Sequence, residues 1–200
     1  MSTTRSLHNK SIKCDRKKHV ALFQTLAVKR TMKQERIELS EYNPEWPFEF
    51  EKERTFLIEK IGEWLCGSVE HVGSTAVPNL MAKPVIDIMF GVDSLEESKQ
   101  AIDVMVKSGY CYFPYKVDVM HWFCKPSDSH RTHHLHLIPF KSSLWKERIL
   151  FRDVLRSNKS VAKEYQDLKQ LLALKHATDR ESYTENKWPF IKKVIANASC

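Results

Sequence analysis

Residues Glu70–Val92 read EHVGSTAVPNLMAKPVIDIMFGV, and this stretch predicts the centre of the fold. Val69–Gly73 is predicted to form a brief strand, followed at once by the polar turn Gly73–Thr75. Val85–Val92 is almost entirely apolar, as is typical of a central strand covered on both faces. Asp87 lies in the middle of that strand, where a carboxylate is costly to bury unless it is paired or holds a cation.

The turn and the buried aspartate together predict a site for phosphate and metal. Glycine allows a tight turn and close approach of the backbone to a ligand, and the hydroxyls of Ser74 and Thr75 can hold phosphate oxygens. Adjacent strands would bring Ser74 and Asp87 to one end of the sheet. We therefore expect phosphate on Gly73, Ser74 and Thr75, and a divalent metal ion on Asp87.

The remaining pattern alternates between strands and helices and predicts an α+β domain with a mixed sheet. Further strands are predicted at residues 36–40, 110–113, 117–125 and 132–140. Helices are predicted from Asn43-Pro44 to near Gly67 and from a Ser94–Glu97 capping box to Gly109. From Ser143 onward the chain is predicted to be helical, with Pro189 kinking or delaying the last helix.

Composition is typical of one globular domain that carries a tail. The chain has 200 residues, of which 42% are hydrophobic and 28% charged. No run of eighteen apolar residues exists, so no membrane span is predicted. The five cysteines are scattered and form no CxxC pair, which argues against zinc bound by cysteine and against a disulfide framework. A reducing, cytoplasmic location fits this cysteine usage best.

The positive charge belongs to the tail. Residues 1–36 hold ten Lys and Arg against two acids, a net +8, and the whole chain carries +7, so the other 164 residues carry −1. We expect residues 1–36 to be a disordered basic tail and residues 37–200 to be the folded domain. A basic arm and an organellar presequence are the alternatives for the tail. Nucleic acid is not an expected partner except through it.

Several motifs in order make the chain resemble a known family. They are EHVGSTAVPNLMAKPVIDIMFGV, then RTHHLHLIPF, FRDVLR, YQDLKQLLA and DRESYTENK, and they extend from about residue 38 to about residue 196. This set resembles the GrpB family of the nucleotidyltransferase superfamily. The resemblance implies a nucleotidyltransferase-like fold with a C-terminal helical segment, and some relatives are associated with dephospho-CoA kinase. The chain has no GxxxxGK[ST] loop, so it is not that kinase by itself.

The superfamily pattern implies two carboxylates placed two residues apart on one strand, and this chain has only one of them. Asp87 occupies the first position, but Met89 occupies the second and ligates hard cations poorly. His134 and His136 alternate with leucines, so both imidazoles share one strand face. We predict that Asp87, His134 and His136 are catalytic residues and ligands of one divalent metal ion of open identity. The alternatives for the histidines are general base, phosphate partner, or polar occupants of a half-exposed face.

Four further residues are predicted to contact phosphate: His71, Lys83, Arg131 and Lys187. Lys187 lies four residues after Tyr183, on an apolar helix stripe that faces the domain. Arg152 and Arg156 are one turn apart on a helix, and a solvated helix face is the favoured interpretation for them.

Two functions are compatible with these residues. The first is metal-dependent nucleotidyl or phosphoryl transfer on a nucleotide or another phosphorylated small molecule. The second is a non-catalytic accessory domain that binds a nucleotide or CoA-type ligand. A third hypothesis, an interaction protein, depends on the basic tail alone. The sequence leaves the choice between enzyme and binding protein open, and the oligomeric state with it.

Overall fold

The computed structural model describes residues 36–199, which form a five-stranded mixed sheet with helices on both faces. The predictions for residues 1–35 lie outside the described residues. The strands are β1 (Val69–Val72), β2 (Ile86–Val92), β3 (Cys111–Phe113), β4 (His121–Pro126) and β5 (Arg131–Pro139). Their order in the sheet is β1-β2-β5-β4-β3. Only β2 and β5 run parallel, and the other three pairs are antiparallel.

Six α-helices accompany the sheet within the described residues. They are α1 (Trp46–Ile61), α2 (Lys99–Lys107), α3 (Ser143–Ser157), α4 (Lys159–Lys175), α5 (Arg180–Glu185) and α6 (Trp188–Ala198). Side-chain oxygens of Ser142, Asn158 and Asp179 accept backbone N–H groups at the starts of α3, α4 and α5. Such caps satisfy amides that have no partner within the helix. The predicted α+β class is therefore confirmed, with a helical C-terminal segment.

The main hydrophobic core lies between one face of the sheet and helices α1 and α2. Leu57 and Ile61 of α1 pack there with Ile88 of β2, and Leu135 and Leu137 of β5 complete the layer; all are fully buried. The opposite face carries a smaller cluster around Met89, Ile138 and Trp145. Burial of apolar area on both faces explains why β2 reads as a nearly continuous apolar run.

Several predicted element boundaries are wrong, for identifiable reasons. Residues 36–40 form no regular strand, only a bridge between Ser40 and Ala82. Ile37 instead donates its amide to Ala177 and packs beside Leu172. The strand predicted from residue 117 begins at His121, because residues 117–119 form an exposed turn.

The predicted helix starts are also early by a few residues. Asn43 accepts the amide of Glu45, but its turn precedes α1, which begins at Trp46. Ser94 accepts the amide of Glu97 as a capping box requires, yet the regular helix α2 begins only at Lys99. The delay predicted at Pro189 is confirmed, since α5 ends at Glu185 and α6 begins at Trp188.

Among residues 36–199, no helix combines the length and the apolar character needed to cross a membrane.

Candidate functional site

Asp87, His134 and His136 come together on the sheet face opposite the main core. Asp87 of β2 is the register partner of His134 on the parallel strand β5, and Met89 is the partner of His136. His134 Nδ1 lies 2.8 Å from Asp87 Oδ1, and His136 Nε2 lies 3.9 Å from the same oxygen. One ligand atom from each residue falls within 4.8 Å of the others, close enough for all three to hold one ion.

The protonation of this group is set by burial and by the contacts within it. Burial alone would raise the pKa of Asp87, but hydrogen bonds and charge from His134 and His136 bring it well below its usual range. Burial lowers the pKa of His136 to about 3, with a further contribution from Arg148 and an opposing one from Asp87. At neutral pH the site therefore holds a carboxylate and an uncharged His136, the forms that bind metal.

His134 has one ring nitrogen to spare. Its Nδ1 lies 2.8 Å from Asp87 Oδ1, and in the neutral tautomer that donates Nδ1–H to this carboxylate, Nε2 carries a lone pair. That Nε2 is buried and meets no hydrogen-bond partner in the described part of the chain. A buried polar atom without a partner costs free energy, and an electrophile or a donor group of a ligand would satisfy it.

Met89 confirms the departure from a paired-carboxylate strand. Its side chain is fully buried and packs with Val72, Met120 and Ile138. It lies on the same strand face as Asp87 but provides apolar packing rather than a charge. Met120 also contacts the ring of His136, with Sδ 3.4 Å from Nδ1.

The turn that follows β1 supports Asp87 by close approach of its backbone. Gly73 has φ 71° and ψ −170°, a conformation that essentially only glycine adopts. A Cβ at this position would collide with the Asp87 carboxyl group. The sequence predicted that glycine allows the backbone to approach a ligand closely. The structure adds a second reason, because the backbone of Gly73 lies against the Asp87 carboxyl group.

Ser74, Thr75 and His71 make contacts within the protein. The side chain of Ser74 acts on Tyr165 of α4, where it lowers the pKa of the phenol against the larger effect of burial, which raises it. Thr75 donates to the Val85 carbonyl over 3.1 Å, and its Oγ1 lies 3.0 Å from His71 Nε2. His71 stacks on Phe50 in the main-core face, with ring centroids 4.8 Å apart. Burial lowers the pKa of His71 to about 4, so it is neutral at pH 7. His71 therefore lies on the opposite sheet face from His134 and His136, although the charge of Asp87 still acts on it.

Three cations feel the charge of Asp87, and we call them the cationic group: Lys83, Arg148 and Lys187. Burial lowers the pKa of Lys83 to about 8, and Arg180 and Lys187 add repulsion. Burial likewise lowers the pKa of Lys187 to about 8, while Asp87 opposes that shift. Lys83 and Lys187 were predicted from the sequence, and both lie close enough to Asp87 to feel its charge.

Arg131, the other predicted cation, is engaged by its own turn. Its guanidinium donates to both the carboxylate and the carbonyl of Asp128. It also lies over the ring of Trp122, 5.0 Å from the centroid. The charge of Arg131 also lowers the pKa of Lys83, but the N–H groups of Arg131 donate to Asp128.

Sequence reasoning missed Arg148, Lys169 and Tyr165. Lys169 is almost fully buried, donates to the Met81 carbonyl and lies 5.0 Å from the Tyr165 ring centroid. Burial lowers its pKa to about 7, and Lys187 adds repulsion. The available signal for Arg148 was spacing, since it lies one helical turn before Arg152 and two before Arg156.

The interpretation of Arg152 as part of a solvated face is wrong. Its side chain is only 10% exposed and donates to Glu70 over 2.7 Å and to the His71 carbonyl over 3.1 Å. Arg156 is more exposed, but donates to the Ala76 carbonyl. Both arginines and His71 line a groove of about 1170 Å³ beside β1, and neither Asp87 nor the two histidines near it line this groove.

This fold and site define a class: an α+β protein with a mixed five-stranded sheet, one central aspartate facing two histidines, and three cations that feel the charge of that aspartate. Residues 36–197 match the family model described as "GrpB protein", and the chain belongs to the GrpB family.

Known relatives agree with this placement. Glutamate-rich protein GrpB of Alkalihalophilus pseudofirmus is 35% identical over 159 residues, covering 77% of this chain and 91% of that protein. The UPF0157 protein YqkA of Bacillus subtilis is 33% identical over 165 residues, which is 82% of this chain but 47% of YqkA. A crystal structure of the conserved protein GrpB from Enterococcus faecalis superposes with a TM-score of 0.72 at 34% identity, covering 80% of this chain and 96% of that one.

Proposed function

We propose that this protein binds a phosphate-bearing small molecule, of the nucleotide or CoA type, beside Asp87. The observation that carries the proposal is the cationic group of Lys83, Arg148 and Lys187, three positive charges that all feel the charge of one carboxylate, that of Asp87. Buried charges of one sign are unfavourable unless an opposite charge accompanies them. A phosphate or a phosphate chain supplies that charge and the acceptor oxygens for lysine and arginine donors.

The same charge imbalance favours a ligand with more than one negative charge. Burial depresses the pKa of Lys83 and of Lys187, and repulsion from Arg180 and Lys187 depresses that of Lys83 further, so the folded chain holds these ammonium groups at a cost. Lys169 lies near enough to Lys187 to add to that repulsion. A bound polyanion would relieve it.

Metal binding at Asp87, His134 and His136 is the second part of the proposal. The donor set of one carboxylate and two imidazoles suits zinc or another transition metal better than magnesium. The unpartnered Nε2 of His134 and the uncharged His136 fit such an ion. When bound, the ion would polarise a phosphoryl oxygen and neutralise developing charge. This supports metal-assisted nucleotidyl or phosphoryl transfer as the second candidate function.

Met89 shapes that candidate reaction. Two-metal phosphoryl transfer needs several anionic ligands to hold two ions about 3.5–4 Å apart. The neighbouring position on β2 is occupied by buried Met89. A catalytic form of this site would therefore use one ion, with Lys83, Arg148 and Lys187 balancing the phosphate charge.

One relative bears on the ligand. A dephospho-CoA kinase of Mycobacterium leprae is 26% identical over 151 residues, covering 62% of this chain and 37% of that protein. This match favours a CoA-type molecule among the phosphorylated ligands. A reducing, cytoplasmic location remains part of the proposal.

The binding proposal is tested by titrating ATP, CoA, dephospho-CoA and pyrophosphate against the purified chain. We expect Lys187→Met to weaken binding about 10- to 100-fold, the value of one charge-assisted hydrogen bond of about 1.5–3 kcal/mol. Lys193→Met, on the exposed side of α6, is the matched control and should bind as the parent does. Equal affinity of the two variants, or no binding by any of these ligands, would refute the proposal.

The metal proposal needs a separate measurement. Zinc and manganese are titrated by calorimetry into the parent and into Asp87→Asn, which keeps the side-chain size but removes the charge. We expect the metal affinity to fall at least tenfold in Asp87→Asn, and any product from a nucleoside triphosphate to disappear with it. Metal binding that is unaffected by Asp87→Asn would contradict the assignment of these ligands.

A further inference from the structure

Two of the scattered cysteines meet across neighbouring strands. Cys111 of β3 is the direct register partner of Cys124 of β4. Cys124 is in turn the partner of His134, and His134 that of Asp87. The two thiols therefore belong to one row of residues that crosses the sheet and includes the candidate site. Because twelve residues lie between them in the chain, the sequence alone does not indicate this pairing.

The register satisfies the main geometric requirement of a disulfide bond. Directly opposed residues in an antiparallel pair have Cα atoms about 4.5–5.5 Å apart. Disulfides span Cα distances of about 4.4–6.8 Å, a range that includes this spacing. Opposed Cβ atoms are about 4.5–5.5 Å apart, at the upper edge of the roughly 3.5–4.5 Å that a disulfide prefers, so the two strands would draw slightly closer when the bond forms.

The surroundings of the two sulfurs differ in a useful way. Cys111 is half-buried and can be reached from solvent, whereas Cys124 is fully buried. Both Sγ atoms have the same kind of weak partner, a carbonyl oxygen at 3.7 Å, on the adjacent residues Pro126 and Ser127. Both thiols therefore point toward the same short segment of chain.

We propose that Cys111 and Cys124 are a reversible oxidation site whose substrate is a hydroperoxide. The Cys111 sulfur attacks the peroxide, an S–O bond forms, the O–O bond breaks, and water or an alcohol leaves. The Cys124 sulfur then attacks the Cys111 sulfur, the S–S bond forms, and the S–O bond breaks with loss of a second water. Two thiols are oxidised by two electrons, and the peroxide is reduced by two.

The order of the two steps follows from access. Cys124 is fully buried, so an incoming peroxide does not reach its sulfur first. Cys111 is the accessible sulfur and takes the first step, while Cys124 lies opposite it to resolve the intermediate. This proposal is independent of the function proposed above, because it requires neither phosphate nor metal.

The test uses the full chain with the other three cysteines replaced, as Cys14→Ser, Cys66→Ser and Cys200→Ser. The reduced protein is treated with hydrogen peroxide and its free thiols are counted with a maleimide after unfolding. We expect the loss of both thiols, an intact mass lower by two hydrogen atoms, and full recovery with dithiothreitol. Because Lys116 lies between the two cysteines, trypsin should release their peptides as one linked species only when the bond is present.

Two further variants of this chain establish the roles. Adding Cys124→Ala should stop the reaction at a sulfenic acid on Cys111 that dimedone traps. Adding Cys111→Ser, at the half-buried position, should leave Cys124 reduced under the same treatment. The proposal is overturned if Cys111 is oxidised to a sulfinic acid while Cys124 still reacts with maleimide, or if the only disulfide joins two separate chains.

Discussion

Gly73→Ala should damage the candidate site through the backbone rather than through any lost ligand atom. Gly73 has φ 71° and ψ −170°. An L-residue held in that region costs about 1–3 kcal/mol. The added methyl group would also overlap the Asp87 carboxyl group, which is restrained by its hydrogen bond to His134.

The two effects can be separated by magnitude. Displacing Asp87 from His134 leaves the Asp87 carboxylate without this hydrogen bond, which costs about a further 1–3 kcal/mol. Gly73→Ala should therefore destabilise the fold by about 2–6 kcal/mol in total. Gly109→Ala is the matched control, because Gly109 also has a positive φ of 94° but an added Cβ there meets no atom within 4 Å. Its cost should be the backbone strain alone, about 1–2 kcal/mol.

Urea unfolding of both variants measures the difference, and zinc titration measures the effect on the site. We expect Gly73→Ala to be the less stable variant by about 1–3 kcal/mol and to lose metal affinity, whereas Gly109→Ala keeps it. Equal destabilisation of the two variants, with zinc affinity unchanged in Gly73→Ala, would refute the steric argument.

Three further predictions follow from buried polar groups. Arg152→Ala should lower the free energy of unfolding in urea by about 1–3 kcal/mol, because it leaves Glu70 and the His71 carbonyl unpaired. Arg156 is more exposed, so Arg156→Ala should cost about 1 kcal/mol or less, and equal losses in the two variants would contradict this reasoning. The pKa of His71 is lowered to about 4 from 6.5, so the unfolded chain binds the proton first, and stability should fall as the pH drops from about 6.5 to about 4. His71→Phe should reduce that loss by up to about 3 kcal/mol, and an unchanged pH profile would count against it. Glu53→Gln should cost about 3 kcal/mol because its partly buried lysine partner loses its counter-charge. Glu59→Gln, at an exposed ion pair, is the control and should leave the free energy of unfolding nearly unchanged, so similar losses in the two variants would disprove the role of Glu53.

The fold was largely predictable because its strongest signals are local. The apolar run of β2 and the alternation His134–Leu135–His136–Leu137 identify a central strand and a two-faced neighbour from spacing alone, and the structure confirms both. Weak signals failed where tertiary contacts decide the outcome. Ile37 looked like a strand residue, but its partner is Ala177, which lies far along the chain.

The candidate site was predictable only in part. Asp87, His134 and His136 were identified by strand parity, and the structure places them together. The alternation of side chains along a strand does not indicate which residues of other elements lie near the site. Arg148 and Lys169 reach the site region from helices α3 and α4, and their positions depend on how those helices pack on the sheet. His71 has the correct neighbours in sequence but stacks on Phe50 on the other face.

By itself, the sequence determined the class of fold, the central strand, the single carboxylate of that strand and the histidines beside it. These depend on hydrophobic periodicity and on the alternation of side chains along a strand, which are properties of a short stretch of chain. Only the tertiary structure decided which cations feel the charge of Asp87. It also decided that Gly73 leaves space for the Asp87 carboxyl group and that Cys111 faces Cys124. Those relations join residues far apart in the chain, and they arise from strand register and helix packing, which no local pattern specifies.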